Sequence, residues 1–529
     1  MKKIHAEILF FELVVGAFLR FFNLLYFHVL DTDEAIYAQA VLVVTKGYIP
    51  YKDVFFAHPP VYLYMAYGVM RVSPSLLSMR SLNVFLGIAT IVLVFYVCKL
   101  MYSGRTALIA SGIYALYPLA IFSNKIAFVD NGLTFFTTLM MLFFVKYVRG
   151  KETKYLVLSG IFGGVSLMTK YTALLVLGAI VLFSMFTFFR KKITHLFIFI
   201  ASASVFPLAV FLLLLFTNVW PFFFVQTIQW QTIRFGTPAI EKFWFFAQIL
   251  FSLSPLILSA MLATPRNIGD RAWQLMMAWF FVPLVALPFS KVVFLQYSFS
   301  LIPPISILVA KGLDNVVPND FSVSRSTRNV LHFKLIMKKI VPLSGIALAM
   351  IYILATFWFL PAFSYGTRWF LVDSVLGNES SAILMQNQMD LGRYVKNLTS
   401  STDMIWTTDA SIAFFAERTI VEPNSPYWKF QGFFQDVWGY AWTRDDYRGP
   451  IPGYPKGVIT LDDILVAWQT EKPKVILFSR ASVADQLIWD GIRNAYTTQV
   501  GLADYVQSHY HRTTISNFQS TEVWIRNDA

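Results

Sequence analysis

Apolar residues gather in long runs, each near the roughly 20 residues that carry a helix across a bilayer, from the start of the chain to about residue 360. They predict spans near 8–29, 80–99, 105–122, 131–147, 155–170, 172–189, 193–217, 241–262, 272–288, 293–310 and 340–360, eleven in all. A shorter apolar stretch, 59–72, predicts an interfacial or re-entrant helix begun by Pro59-Pro60, since proline at the first helical position gives up an N–H that has no partner there anyway. Residues 218–238 mix Trp, Phe and Gln around Pro221 and Arg234. That mixture suits either an aromatic belt on an external loop or a loop that grips a lipid chain. Residues 313–339 are polar and basic and predict a cytoplasmic linker.

The pattern changes after Pro361, and residues 362–529 contain no span. Helical patterns over Met389 to Asn397 and Leu461 to Trp468 alternate with β-rich runs at Met404–Thr407, Lys474–Phe478 and Thr521–Ile525. Leu461, Ile464, Leu465 and Trp468 share one helical face. A helix, a proline (Pro473) and then an apolar strand is an α/β signature. Two domains follow: a transmembrane module, 1–361, containing a polar loop at 30–78, and an α/β domain, 362–529. No glycine-rich phosphate loop and no internal repeat is visible.

Composition supports a polytopic α-helical membrane protein: 57% of the 529 residues are hydrophobic, 14% are charged and mean hydropathy is +0.58. A soluble domain carries about a quarter charged residues. The net charge of +13 does not point to nucleic acid, because the positives cluster in alternate joints between spans. Lys2, Lys3, Lys99, Arg105, Lys146, Arg149, Lys151, Lys154, Arg190, Lys191, Lys192, Arg266, Arg271 and the 311–339 segment form the rich set. Basic loops stay inside, so the amino end is expected to be cytoplasmic and residues 362–529 external. Met1-Lys2-Lys3 before a long apolar run reads as an uncleaved anchor. Cys98 is the sole cysteine, which excludes an intrachain disulfide and a zinc-thiolate site.

The candidate chemistry lies at the external ends of the spans. Acids Asp31, Asp33 and Glu34 follow the first span directly, and Asp53 precedes His58-Pro59-Pro60. Such acids either cap the next helix in a water-facing loop or serve a reaction, since crowded carboxylates at a membrane surface repel one another and are costly to desolvate. Asp130 sits between two apolar segments, and His58, Lys125, Lys170, Arg234 and Lys291 supply the basic groups. A lone lysine at such a place snorkels to the interface. Several on one face beside carboxylates suit a reaction that deprotonates a hydroxyl while an anionic group such as a lipid phosphate departs.

The order of these motifs resembles the GT-C membrane glycosyltransferases, in the branch of the protein O-mannosyltransferases and the bacterial lipid A aminoarabinose transferase. The resemblance covers residues 1–315. It is carried by Asp33-Glu34-Ala35-Ile36-Tyr37-Ala38, Gly47-Tyr48-Ile49-Pro50-Tyr51, His58-Pro59-Pro60, Asp130 after its basic residue, Leu167-Met168-Thr169-Lys170-Tyr171, and Lys291 through Tyr297 to Pro303-Pro304. The aminoarabinose branch has Glu-Lys-Pro where this chain has Ala57-His58-Pro59, so neither lipid A nor aminoarabinose is carried over as a substrate. The resemblance implies a GT-C fold and an enzyme, a hexosyl- or pentosyltransferase, that moves a sugar from a polyprenyl or dolichyl phosphate to a protein, lipid or glycan on the external face of a cell membrane. It implies Asp33 as base with Glu34 beside it. Asp130, Asp53 and His58 become acceptor or metal candidates, and Lys170, Arg234, Lys291 and Tyr297 donor-phosphate contacts. A divalent metal is a candidate cofactor, with Asp130 and Asp53 as its candidate ligands.

Three rival functions compete with this one. An oligosaccharyltransferase needs Trp-Trp-Asp-Tyr-Gly in its external domain, and Asp436-Val437-Trp438-Gly439-Tyr440 has the wrong order. A transporter or lipid flippase would show repeats or broken helices with midplane charges. A partner-binding scaffold has only the external domain in its favour. That domain shows no paired carboxylates near a basic cluster, so it is expected to serve the acceptor rather than the chemistry.

Overall fold

In the computed structural model of the protein, the described residues are 2–28, 30, 32–187, 193–229, 231, 239–263, 270–316, 376–377, 379–407, 409–421, 461–479, 500–513 and 521–528. The predicted span at 340–360, the basic linker from 317 on, Arg234 and Asp31 lie outside them. The helices in chain order are α1 (Lys2–Phe21), α2 (Thr32–Thr45), α3 (Pro60–Val72), α4 (Leu76–Met101), α5 (Gly104–Leu116), α6 (Pro118–Lys125), α7 (Val129–Gly150), α8 (Thr153–Leu167), α9 (Ala173–Thr187) and α10 (Ile193–Phe216). Then come α11 (Trp220–Phe223), which runs into a π-helical stretch at Phe224–Gln229, α12 (Ala239–Ala263), α13 (Arg271–Ala286) and α14 (Ile302–Val316).

Five of the described helices are long and apolar enough to cross a membrane, and the α5–α6 pair, bent by 57°, gives a sixth. Of the other predicted spans, 155–170 and 172–189 fall on the shorter apolar helices α8 and α9, and 340–360 lies outside the described residues. Three predicted spans have a different course. The first, 8–29, is helical only to Phe21, and Asn23 takes a left-handed φ of 50°. Three carbonyls beyond Phe21 accept from side chains: Lys125 Nζ donates to Phe22 O at 2.8 Å, and Arg80 Nη1 to Leu24 O at 3.0 Å and Leu25 O at 2.8 Å. The second, 105–122, breaks at Tyr117–Pro118, because proline offers no N–H to Tyr114 O and pushes the residue before it to an extended conformation. The third, 293–310, splits into a 3₁₀ segment, Leu295–Leu301, and α14. Pro303 and Pro304 fit the first turn of α14, where N–H groups are orphaned in any case.

Close packing within the bundle uses small residues. On α8, Gly160 and Gly164 face α10, where an added Cβ on Gly160 would lie 2.5 Å from Ser202 Cβ and 2.7 Å from Phe199 O. Spaced four apart, the two glycines let the helix backbones approach, the usual device where lipid provides no hydrophobic drive between helices.

The described residues between 379 and 528 form the expected α/β arrangement: α15 (Glu379–Leu398), α16 (Ala410–Ala416), α17 (Leu461–Glu471) and α18 (Val500–His509) with five strands among them. These are β1 (Met404–Thr407), β2 (Thr419–Ile420), β3 (Val475–Ser479), β4 (Tyr510–Thr513) and β5 (Thr521–Arg526), in sheet order β2-β1-β3-β5-β4. β2, β1 and β3 are parallel, with Trp406 opposite Ile476, while β5 runs antiparallel to β3 with Trp524 opposite Ile476. Parallel neighbours need crossovers, which α16 and α17 supply.

Contacts gather the chain into two units. One comprises residues 1–27, 80–209 and 236–377, and the other 28–79, 210–235 and 378–529. The acidic segment thus groups with the α/β part.

Candidate active site

In the second unit, the acidic segment forms the start of α2, with Asp33 and Glu34 in the first turn. Negative side chains are favoured there by the exposed N–H groups and the helix dipole. The two acids differ in access: Glu34 is wholly buried, at 0% exposure, and Asp33 is half-buried. Tyr37 falls one turn after Asp33, on the same side of the helix. Its hydroxyl lies 2.8 Å from His58 Nε2. The His58 loop is held from several directions. Tyr51 Oη donates to His58 O at 2.9 Å, and Gln226 Oε1 accepts from Phe56 N at 3.1 Å while its Nε2 donates to Tyr51 O at 2.5 Å. Gln231 Nε2 donates to Ala57 O at 3.2 Å. Gln226 and Gln231, within the stretch read from sequence as an aromatic belt or lipid grip, thus buttress the His-Pro-Pro loop. Asp53 closes its own turn, its Oδ2 accepting from Ile49 N at 2.8 Å.

In the first unit, Asp130 stands in the first turn of α7 and Lys170 in the turn between α8 and α9. Lys170 Nζ donates to both carboxylate oxygens, at 2.7 and 2.8 Å, and both residues are buried. The ammonium also lies 4.5 Å from the centroid of the Tyr297 ring, within cation–π range. The structure therefore brings together three of the sequence candidates: Asp130, Lys170 and Tyr297. Lys291 is exposed in the turn after the 3₁₀ segment Leu287–Phe289.

Behind this pair runs a buried polar network that the sequence reading did not pick out. Arg20, fully buried, donates from Nε to Asn124 Oδ1 at 2.9 Å and from Nη1 to Ala115 O at 2.8 Å. Its Nη2 donates to Tyr114 O at 3.3 Å, the carbonyl freed by Pro118. Asn124 Nδ2 donates to Asn131 Oδ1 at 2.8 Å, and Asn131 Nδ2 to Ser123 O at 2.7 Å and Ile126 O at 3.0 Å. Arg20 staples the α5–α6 break, and Asn131 fixes the entry of α7 one residue from Asp130. An arginine inside an apolar run was the available signal, since intramembrane charges are functional or structural by default.

Among the described residues no three of His, Cys, Asp and Glu cluster in a way that could hold an ion. Asp130 is committed to Lys170 and Asp53 to the Ile49 N–H.

The architecture, an interrupted helical bundle followed by an α/β segment, is the fold of the GT-C membrane glycosyltransferases. Residues 57–214 match the model of the family described as dolichyl-phosphate-mannose-protein mannosyltransferase. The chain is similar in structure to ArnT from Cupriavidus metallidurans bound to undecaprenyl phosphate, with a TM-score of 0.65 and 14% identity over 97% of each chain. The same enzyme in its apo state gives 0.63 at 14% identity, over 97% of this chain and 96% of that one. An oligosaccharyltransferase from Archaeoglobus fulgidus, tethered to an acceptor peptide, gives 0.53 at 11% identity, over 100% of this chain and 74% of that one. No curated protein matches the chain by sequence.

Proposed function

We propose that the chain is an integral-membrane glycosyltransferase that moves a sugar from a polyprenyl or dolichyl phosphate to an acceptor hydroxyl on the external face of the membrane. The observation that carries this reading is the match of residues 57–214, starting within the His58-Pro59-Pro60 loop, to the dolichyl-phosphate-mannose-protein mannosyltransferase family within a GT-C fold. The orientation comes from the basic loops: amino end cytoplasmic, residues 362–529 external.

In the proposed reaction the acceptor oxygen attacks the anomeric carbon. The bond from that carbon to the phosphate oxygen breaks, its electron pair leaves with the polyprenyl phosphate, and the acceptor proton passes to a base. We assign the base to Asp33. Burial supports that choice over Glu34, because a base must reach the hydroxyl it deprotonates and Glu34 has no exposed surface. His58, bonded to Tyr37 Oη, is assigned to the acceptor. The leaving phosphate needs positive charge, and we assign this to Lys291 and, on sequence position, Arg234. Lys170 is already balanced by Asp130, so its role is to hold Tyr297, the remaining donor contact.

Asp33→Asn keeps shape and removes basicity. It is expected to slow single-turnover sugar transfer by about a hundredfold or more, the usual range of general-base catalysis, while donor affinity stays near wild type. Retention of most of the rate, or loss of donor binding in step with activity, would show that Asp33 is not the base.

A further inference from the structure

The C-terminal segment grips the acidic helix at its entry. Leu30 N donates to Gln388 Oε1 at 3.1 Å, and Gln388 Nε2 donates back to Leu30 O at 3.3 Å. One side-chain amide on α15 thus satisfies both backbone groups of a residue three positions before Asp33. Leu30 is buried, where its N–H and C=O each need a partner, and Gln388 supplies one to both.

A second grip lies further along α2. Gln39 Nε2 donates to Arg418 O at 2.9 Å and Lys46 Nζ to Glu417 O at 2.7 Å. These carbonyls belong to the turn after α16, where Glu417 takes a left-handed φ of 54°. Arg418 is itself tied to α15: its Nε donates to Thr399 Oγ1 at 2.8 Å, and its Nη2 to Thr399 O at 2.7 Å and Lys396 O at 3.2 Å. The same two helices of the α/β part therefore hold residues 30–46 at both ends, and Asp33 lies between the holds.

We propose that Gln388 is a positioning residue for the reaction, and that the α/β part serves the bond-making step by fixing the entry of α2. This rests on Asp33 being the base. It replaces the expectation that this part serves the acceptor alone. The physical ground is the steep dependence of rate on geometry: a displacement of about 1 Å in a reacting group can cost up to about a hundredfold.

The test is a double-mutant cycle on the purified full-length protein, read by single-turnover transfer from a labelled polyprenyl-phosphate sugar and by donor affinity. Gln388→Met keeps length and volume but makes neither bond, and Gln388→Glu keeps only the bond from Leu30 N. Each is expected to slow transfer by roughly tenfold or more with donor affinity unchanged, whereas Asn387→Ala, exposed on the same helix, should change nothing. In an Asp33→Asn background the Gln388 substitutions should add almost no further loss, because the group they position is gone. An equal fold-loss in both backgrounds would overturn the proposal and leave Gln388 a general structural contact. Full activity of both Gln388 variants would overturn it as well. If Asp33→Asn itself keeps its rate, the base assignment fails first, and the cycle shows this separately.

Discussion

Replacing Lys170 by methionine would strip the cation from a buried carboxylate. Its Nζ sits 2.7 and 2.8 Å from the two Asp130 oxygens, and both residues are buried. Two unit charges about 3 Å apart, at an effective dielectric near 20, attract by on the order of 5 kcal/mol. Removing one partner of such a pair costs about 3–5 kcal/mol, because the other charge stays buried without compensation. Lys170→Met and Asp130→Leu should each destabilise by roughly that amount. Replacing both should cost far less than the sum, giving a coupling of about 3 kcal/mol or more. A titration from mild detergent into sodium dodecyl sulfate, followed by fluorescence of the 14 tryptophans, measures all four corners of the cycle. Turnover should behave differently. A buried pair is weak evidence for stability alone and an intramembrane charge is usually functional, so the double variant should fold yet transfer sugar poorly. Coupling below about 1 kcal/mol would refute the picture of a desolvated pair. A double variant that recovers both folding and turnover would make the pair structural only.

Three further outcomes follow from the same geometry. With the buried Cys98 replaced, Ser401→Cys should label with an impermeant thiol reagent in intact cells and Ser326→Cys should not; the reverse pattern would invert the proposed orientation. Gly87→Ala would drive a Cβ into the Asn124 side chain and break its 2.9 Å bond from Arg20, costing about 1–3 kcal/mol, whereas Gly178→Ala, with open space around it, should be neutral or gain up to about 1 kcal/mol; equal effects in the detergent titration would refute the packing account. Since Asp130 and Asp53 are already bonded elsewhere, a strong chelator should leave transfer within about twofold of untreated enzyme, and a loss restored by one added divalent ion would contradict that account.

Much of this protein is local and was therefore open to reading along the chain. Apolar run length set the membrane class, because each span satisfies its own backbone within one segment. Pro59-Pro60 marked the start of α3, and the β-rich runs became β1, β3 and β5 within a residue of their expected ends. Motif order alone indicated the GT-C fold. What the tertiary structure decided is pairing across distance. Nothing near Asp130 says that its partner is 40 residues away, or that Arg20 will take the carbonyl freed by Pro118. The run at 105–122 looks continuous because apolar composition does not register a 57° bend whose freed carbonyls find a partner on another helix. The hold of Gln388 on Leu30 spans 358 positions and leaves no local trace, since a glutamine on a half-exposed helix face reads the same whether it meets water or a backbone. Periodicity records which side of a helix is buried, and only the packed chain determines what it is buried against.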